Sequence, residues 1–134
     1  MALNKDIQIL IVDDSSATRS LVLKILRNLG FENVDSAEDG VEALAMFDDE
    51  DYDLVISDWF MPNMSGVELV KEMRSQDDLK EIPVLLVTAE DDQDSIMEAI
   101  KVGANNYMVK PYNAKVLSEK IQKIFDFQDK KKNR

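Results

Sequence analysis

Short apolar runs alternate with longer stretches whose apolar residues recur at helical spacing, and the alternation repeats five times along the chain. The first pattern predicts buried strands, the second amphipathic helices. Residues 7–12 are almost continuously apolar, as a central parallel strand covered on both faces requires. After Asp13 and Asp14, either Ser15 or Ser16 can cap a helix. Leu21, Val22, Ile25, Leu26 and Leu29 form its expected core stripe, and Gly30 its left-handed cap. Residues 33–37 predict a short, weak strand at or near a sheet edge. Asp39 or Gly40 opens a second helix, expected to turn Val41, Leu44, Ala45 and Phe47 inward. The acidic residues 48–51 read as a solvated exit.

Residues 54–57 form a third apolar run, too short for a helix core, and it stops at a carboxylate, Asp58. Pro62, Asn63 and Gly66 then break regular structure. A helix is expected from about 65 to 74, with Val67, Leu69, Val70 and Met73 inward, followed by a polar connector over 75–81. Residues 83–87 predict a fourth strand ending at Thr88, with Pro83 tolerated at its first position. Acids then lead into a helix anchored by Ile96, Met97, Ile100 and Val102 and closed by Gly103. Residues 105–109 form the last strand, which ends at Lys110-Pro111. The final helix starts near Asn113 or Ala114 and buries Val116, Leu117, Ile121, Ile124 and Phe125. Five strand–helix pairs joined by short connections imply a doubly wound α/β fold, one parallel sheet with helices on both faces. One domain is expected over 1–134, with its core at about 7–127 and a frayed basic end at 128–134.

Composition narrows the chemistry. The 134 residues are 45% hydrophobic and 32% charged, as in a soluble globular domain. No apolar run reaches membrane-span length, and the first residues carry no signal-peptide pattern, so the expected location is cytoplasmic. With no cysteine and no histidine, thiolate chemistry and the commonest zinc ligands are excluded. A bound metal must use oxygen ligands, which points to magnesium, manganese or calcium. The formal charge of -11 opposes binding to a nucleic-acid backbone. No glycine-rich phosphate loop follows the first strand.

In an open parallel sheet, residues at the carboxyl ends of strands gather along one edge. Here those residues are Asp13, Asp14, Asp58, Thr88 and Lys110. Crowded carboxylates repel and call for protons or a cation, and magnesium suits oxygen ligands beside phosphate. A carboxylate can also attack phosphorus and form an aspartyl phosphate. Asp58, alone at the end of the middle strand, is the best nucleophile, and the Asp13–Asp14 pair is better placed to hold metal. Lys110 and Thr88 can neutralise and hydrogen-bond the transferring oxygens.

Six short segments carry a family resemblance: Val12-Asp13-Asp14, Ala37-Glu38-Asp39-Gly40, Ile56-Ser57-Asp58-Trp59, Met61-Pro62-Asn63-Met64, Val87-Thr88-Ala89-Glu90 and Val109-Lys110-Pro111-Tyr112. In that order and spacing the chain resembles the response-regulator receiver domains of two-component signalling, and among them the single-domain chemotaxis regulators. The resemblance implies a flavodoxin-like three-layer fold with strand order 2-1-3-4-5. It implies that Asp58 is the phosphoacceptor, and that magnesium, replaceable by manganese, sits on Asp14, Asp58, the Phe60 backbone carbonyl and, largely through water, Asp13. It makes Thr88 and Tyr107 the switch pair, Lys110 the phosphoryl-contacting lysine, and Lys110-Pro111 a cis peptide. It implies phosphoryl uptake from a chemotaxis-type (CheA-like) histidine kinase, followed by self-dephosphorylation. The output face would be the fourth helix, fifth strand and fifth helix, with Asp91, Asp92, Ile96, Tyr107, Lys120 and Lys123 exposed to a partner. That partner would be a flagellar-motor switch protein or an auxiliary phosphatase, and the protein a monomer.

Two departures alter those expectations. Flagellar members usually carry a polar residue where this chain has Phe60, whose ring would slow water attack; Glu90 keeps the acid of the closest members. Those members also carry lysines just after that acid, where this chain has Asp91, Asp92 and Asp94. Like charge should weaken docking of an acidic motor peptide. A phosphate sink or a non-flagellar regulator is therefore a second reading. A small metabolite phosphatase and a phosphate-independent scaffold are the more distant rivals.

Overall fold

The structure, a computed structural model, describes residues 3–89 and 93–132. Five strands, β1 (Ile9–Val12), β2 (Val34–Ala37), β3 (Leu54–Asp58), β4 (Val84–Thr88) and β5 (Asn106–Val109), form one sheet. All four pairings are parallel, and the order is β2-β1-β3-β4-β5. The order expected from the resemblance is the order found. Five helices alternate with the strands: α1 (Ser16–Asn28), α2 (Gly40–Met46), α3 (Gly66–Arg74), α4 (Gln93–Val102) and α5 (Ala114–Lys132).

Successive strand residues point to opposite faces, and in β1, β3 and β4 both faces are covered, so both sets are largely apolar. Ile9, Ile11, Leu54, Ile56, Leu85, Val87 and Met108 pack against Val22 and Leu26 of α1 and Leu117, Ile121 and Ile124 of α5. Leu10, Val12, Val55, Val84 and Leu86 pack against Ala43 of α2, the apolar positions of α3, and Ala99 of α4. Each large aliphatic side chain so buried contributes about 1.5–3 kcal/mol. Two packed layers on one sheet thus supply the driving force of the fold.

The helix ends follow their local sequences. Ser15, not Ser16, caps α1 by accepting the Thr18 N–H. Asp39 caps α2 through the Glu42 N–H. Ser65 and Glu68 form a reciprocal capping box at α3. Asn113 accepts from the Val116 N–H at the start of α5. Gly30 lies at φ 103, with its N–H donated to Arg27 and that of Phe31 to Leu26, so α1 ends in the expected left-handed cap.

Several inward assignments need correcting. Leu21, Val41, Met97 and Ile100 are exposed, by 59%, 54%, 59% and 64%, and Ala45 is exposed as well. Ala43 and Ala99 are buried in their place. Leu44 and Phe47 at α2 and Val102 of α4 are partly buried against the same core. At the chain end, α5 continues to Lys132. Glu90, Asp91 and Asp92 lie outside the described residues.

Candidate functional site

Parallel pairing in one register brings the strand ends level. Val12 pairs with Ser57, Asp58 with Val87, and Thr88 with Val109. The residues at or just past those pairs are Asp13, Asp14, Asp58, Thr88 and Lys110. Register therefore does what the strand-end argument requires: it converts positions far apart in sequence into neighbours.

The acidic residues converge. Asp13, Asp14 and Asp58 each offer a carboxylate oxygen, and these oxygens lie within 4.8 Å of one another. Lys110 Nζ is 3.2 Å from Asp58 Oδ1. The same oxygen accepts the Trp59 backbone N–H at 3.0 Å. Both donors fall on Oδ1. Asp58 is half-buried, and its main-chain carbonyl accepts the hydroxyl of the fully buried Ser57 at 3.0 Å. Thr88 is buried at the end of β4, and its carbonyl accepts the Lys110 N–H at 2.8 Å. The Lys110-Pro111 peptide is cis.

Asp13 is the most enclosed of the acids. Its Oδ1 accepts the Ser15 N–H at 2.8 Å. Burial raises its pKa above the usual carboxylate value, and the neighbouring charges of Asp58 and Asp14 add to the rise. The Ser15 N–H and Lys110 oppose it. A raised folded-state pKa means that Asp13 adds stability below its unfolded value of 3.8, and that this contribution is lost as pH rises through the raised pKa. Ionised Asp13 is thus a burden at neutral pH without a cation. Asp13→Asn keeps an acceptor for Ser15 and removes the charge. In chelator at pH 7, this variant should be more stable than the natural protein by about 1 kcal/mol. Its urea midpoint checks this, and a midpoint at or below the natural one counts against it.

The donor set fits a hard divalent ion. It is all carboxylate, it is crowded, and the chain has no histidine or cysteine to favour a softer metal.

Phe60 follows Trp59 in the β3–α3 loop and is 60% exposed. Its ring leans on that of Trp59, with centroids 6.2 Å apart. Tyr107 on β5 is half-buried, and Lys120 of α5 places Nζ 5.1 Å from its ring centroid. Lys120 also reaches Asn106 Oδ1 at 3.4 Å, and burial lowers its pKa. Lys123 is exposed on α5, and Ile96 is half-buried on α4.

Three features were not singled out by sequence reasoning. Tyr112 is half-buried, and its pKa is raised first by burial and then by the charges of Asp13 and Asp58, so its phenol borders the acidic site. Arg19 donates from Nη1 to the Asp13 carbonyl at 2.6 Å and ties α1 to the end of β1. Asn63 donates to Asp39 across two loops. Tyr112, Asp39 and Asn63 each carried a signal, since all three lie in segments that bear the family resemblance.

Residues 9–122 match the family model of the response regulator receiver domain, and the chain belongs to that family. It is 48% identical over 124 residues to the chemotaxis protein CheY-3 of Vibrio cholerae, covering 92% of this chain and 95% of that one. The solved structure of CheY4 from V. cholerae matches with a TM-score of 0.83 at 39% identity, covering 89% of this chain and 98% of that one. The receiver domain of a sensor histidine kinase from Pseudomonas aeruginosa matches with a TM-score of 0.79 at 26% identity, covering 88% and 96% respectively. That structure holds a magnesium ion coordinated in its active-site cleft. The chain is a receiver domain of the CheY type.

Proposed function

We propose that this protein is a phosphorylation-activated switch that takes a phosphoryl group onto Asp58 from the phosphohistidine of a chemotaxis-type kinase. One observation carries the reading: three carboxylates within 4.8 Å of one another, with Lys110 Nζ 3.2 Å from the Asp58 carboxylate. Membership of the family and the likeness to chemotaxis regulators support it. The cytoplasm, where such kinases present their phosphohistidine, is the proposed location, and a monomer the proposed state.

Asp13, Asp14, Asp58 and the Phe60 carbonyl would hold magnesium, or manganese in its place, as the P. aeruginosa relative holds magnesium in its cleft. Bound there, the ion supplies positive charge that offsets the carboxylates and the phosphoryl oxygens. Asp58 then attacks phosphorus through a carboxylate oxygen. The phosphorus–nitrogen bond breaks, its electron pair leaves with the imidazole, and an acyl phosphate forms. Lys110 balances charge on the transferring oxygens, and the Thr88 hydroxyl donates to one of them. In a separate second step, water attacks phosphorus, the bond to Asp58 breaks, and inorganic phosphate leaves with the proton of the water. Incubation with a small phosphodonor and magnesium should add one phosphoryl group to Asp58 without turnover of metabolites. Turnover of metabolites would favour the small-phosphatase reading, and no uptake at all would favour the scaffold reading.

Phosphorylation adds charge and acceptor oxygens beside Thr88. Movement of that hydroxyl toward them makes room for Tyr107, and the face of α4, β5 and α5 changes shape. Met97 and Ile100 are exposed on α4 and give that face apolar contact surface. Asp94 lies in the first turn of α4, so a strongly acidic motor peptide meets like charge there. A target other than the flagellar motor, or a role as phosphate sink, is therefore the second reading.

Phe60 governs the lifetime of the acyl phosphate in this proposal. An apolar ring at the rim cannot orient a water molecule, whereas asparagine can. One net hydrogen bond contributes about 1 kcal/mol, so Phe60→Asn should shorten the phosphoryl lifetime roughly fivefold. Decay followed after identical loading, with donor removed, checks this; equal or slower loss in the variant defeats it.

A further inference from the structure

The β3–α3 loop, residues 59–65, carries the Phe60 main chain beside Asp58, and the structure ties that loop at two points. At its base, Gly66 N–H donates to the Trp59 carbonyl at 2.8 Å and Trp59 N–H to Val87 at 2.9 Å. At its tip, the Met64 N–H closes on the Pro62 carbonyl at 2.7 Å around Asn63. Asn63 sits at φ 68, the one non-glycine residue with positive φ among the described residues. Such a conformation costs energy and persists where surrounding structure holds it. The Asn63 side chain is itself tied to the start of α2: its Nδ2 donates to Asp39 Oδ2 at 2.7 Å. The other Asp39 oxygen accepts the Glu42 N–H at 2.9 Å and caps α2. Beside this bond the Met64 side chain presses on Gly40, where an added Cβ would stand 2.7 Å from Met64 Cγ and Sδ.

Helix capping alone explains one Asp39 oxygen and leaves the other unexplained. The Asn63 bond is exposed, so it adds little to global stability. Its consequence is local. It joins the start of α2 to the tip of the loop between Asp58 and α3.

We infer that Asp39 and Asn63 are positioning residues for the cation site: their side-chain bond holds the 59–65 backbone, and with it the Phe60 carbonyl, in place before a divalent ion arrives. Neither side chain is assigned contact with the ion. The inference rests on the reading of the site as a magnesium site. Outlying groups that orient metal ligands typically alter affinity by tenfold or more.

The test uses magnesium alone, titrated into the full chain without phosphodonor, with binding read by calorimetry and by fluorescence of Trp59, the single tryptophan. Asn63→Gly accepts positive φ and removes only the side-chain bond. Asp39→Ser keeps a capping oxygen for Glu42 and is too short for Asn63. Each should weaken magnesium binding roughly tenfold, with an unchanged urea midpoint in chelator. Because both remove the same bond, the double variant should bind no more weakly than either single one. Natural affinity in both single variants, or fully additive losses, overturns the inference and leaves the metal reading standing. A natural protein that binds no magnesium overturns both.

Discussion

Asp58→Asn should abolish phosphoryl uptake from a small donor in magnesium, lowering incorporation by at least about a thousandfold, more than ~4 kcal/mol of barrier. The amide is nearly isosteric, so the β3 terminus and the Trp59 N–H contact at the side-chain oxygen survive. What disappears is the anionic oxygen that the proposed reaction directs at phosphorus. The same change removes the acid that faces Lys110 Nζ and relieves the repulsion that Asp58 exerts on Asp13. The variant should therefore fold at least as well as the natural protein, so that lost uptake cannot be blamed on unfolding. Intact mass after incubation with donor gives the first reading, and urea unfolding the second. Phosphate still incorporated, and mapped to Asp13 or Asp14, would move the chemistry off Asp58.

Much of this site was legible because its logic is one-dimensional. Parallel strands end at the same edge, so Asp13, Asp58, Thr88 and Lys110 could be placed together from the ends of four apolar runs. The sheet order was not legible in that way; it came with the resemblance. Helix faces were legible where apolar residues are large and regularly spaced, as at Val67, Leu69, Val70 and Met73, all buried. They misled at single positions on α1, α2 and α4, where Leu21, Ala45 and three larger residues are exposed. Ala43 and Ala99 are buried, while Val41, Met97 and Ile100 are exposed. A hydrophobicity pattern weights an alanine little, so it gave no sign that Ala43 and Ala99 are the buried positions. The Asp39–Asn63 bond lay beyond any periodic argument. It joins loops that follow β2 and β3, strands separated in the sheet by β1, and only the folded edge brings them within reach. Tyr112 escaped for a related reason, since proximity to Asp13 and Asp58 depends on the path of the chain after Pro111.

Gly66→Ala sets helix propensity against packing, and the distances decide the sign. Gly66 opens α3, where alanine is the better helix former by about 1 kcal/mol. An added Cβ, however, would stand 2.3 Å from the Asp58 carbonyl oxygen and 2.9 Å from Leu86 Cδ2. The oxygen belongs to the backbone of a central strand and also accepts the Ser57 hydroxyl, so it has no rotamer to escape into. Overpacking of this kind costs about 1–3 kcal/mol or more, so the net effect should be a loss of roughly 2 kcal/mol despite the gain in propensity. Gly40→Ala is the internal comparison. There the obstacle is the thioether of Met64, which can swing aside, and the loss should be smaller, about 1 kcal/mol. Urea unfolding of both variants in chelator orders them, and a Gly66→Ala protein no less stable than Gly40→Ala would contradict the argument. The strain has a second destination. To admit a methyl group, the Asp58 carbonyl must retreat, and that carbonyl shares its residue with the carboxylate 3.2 Å from Lys110. On the proposed reading, Gly66→Ala should therefore slow phosphoryl uptake even under conditions where the variant remains folded, because Gly66 packs against the backbone of the residue proposed as nucleophile.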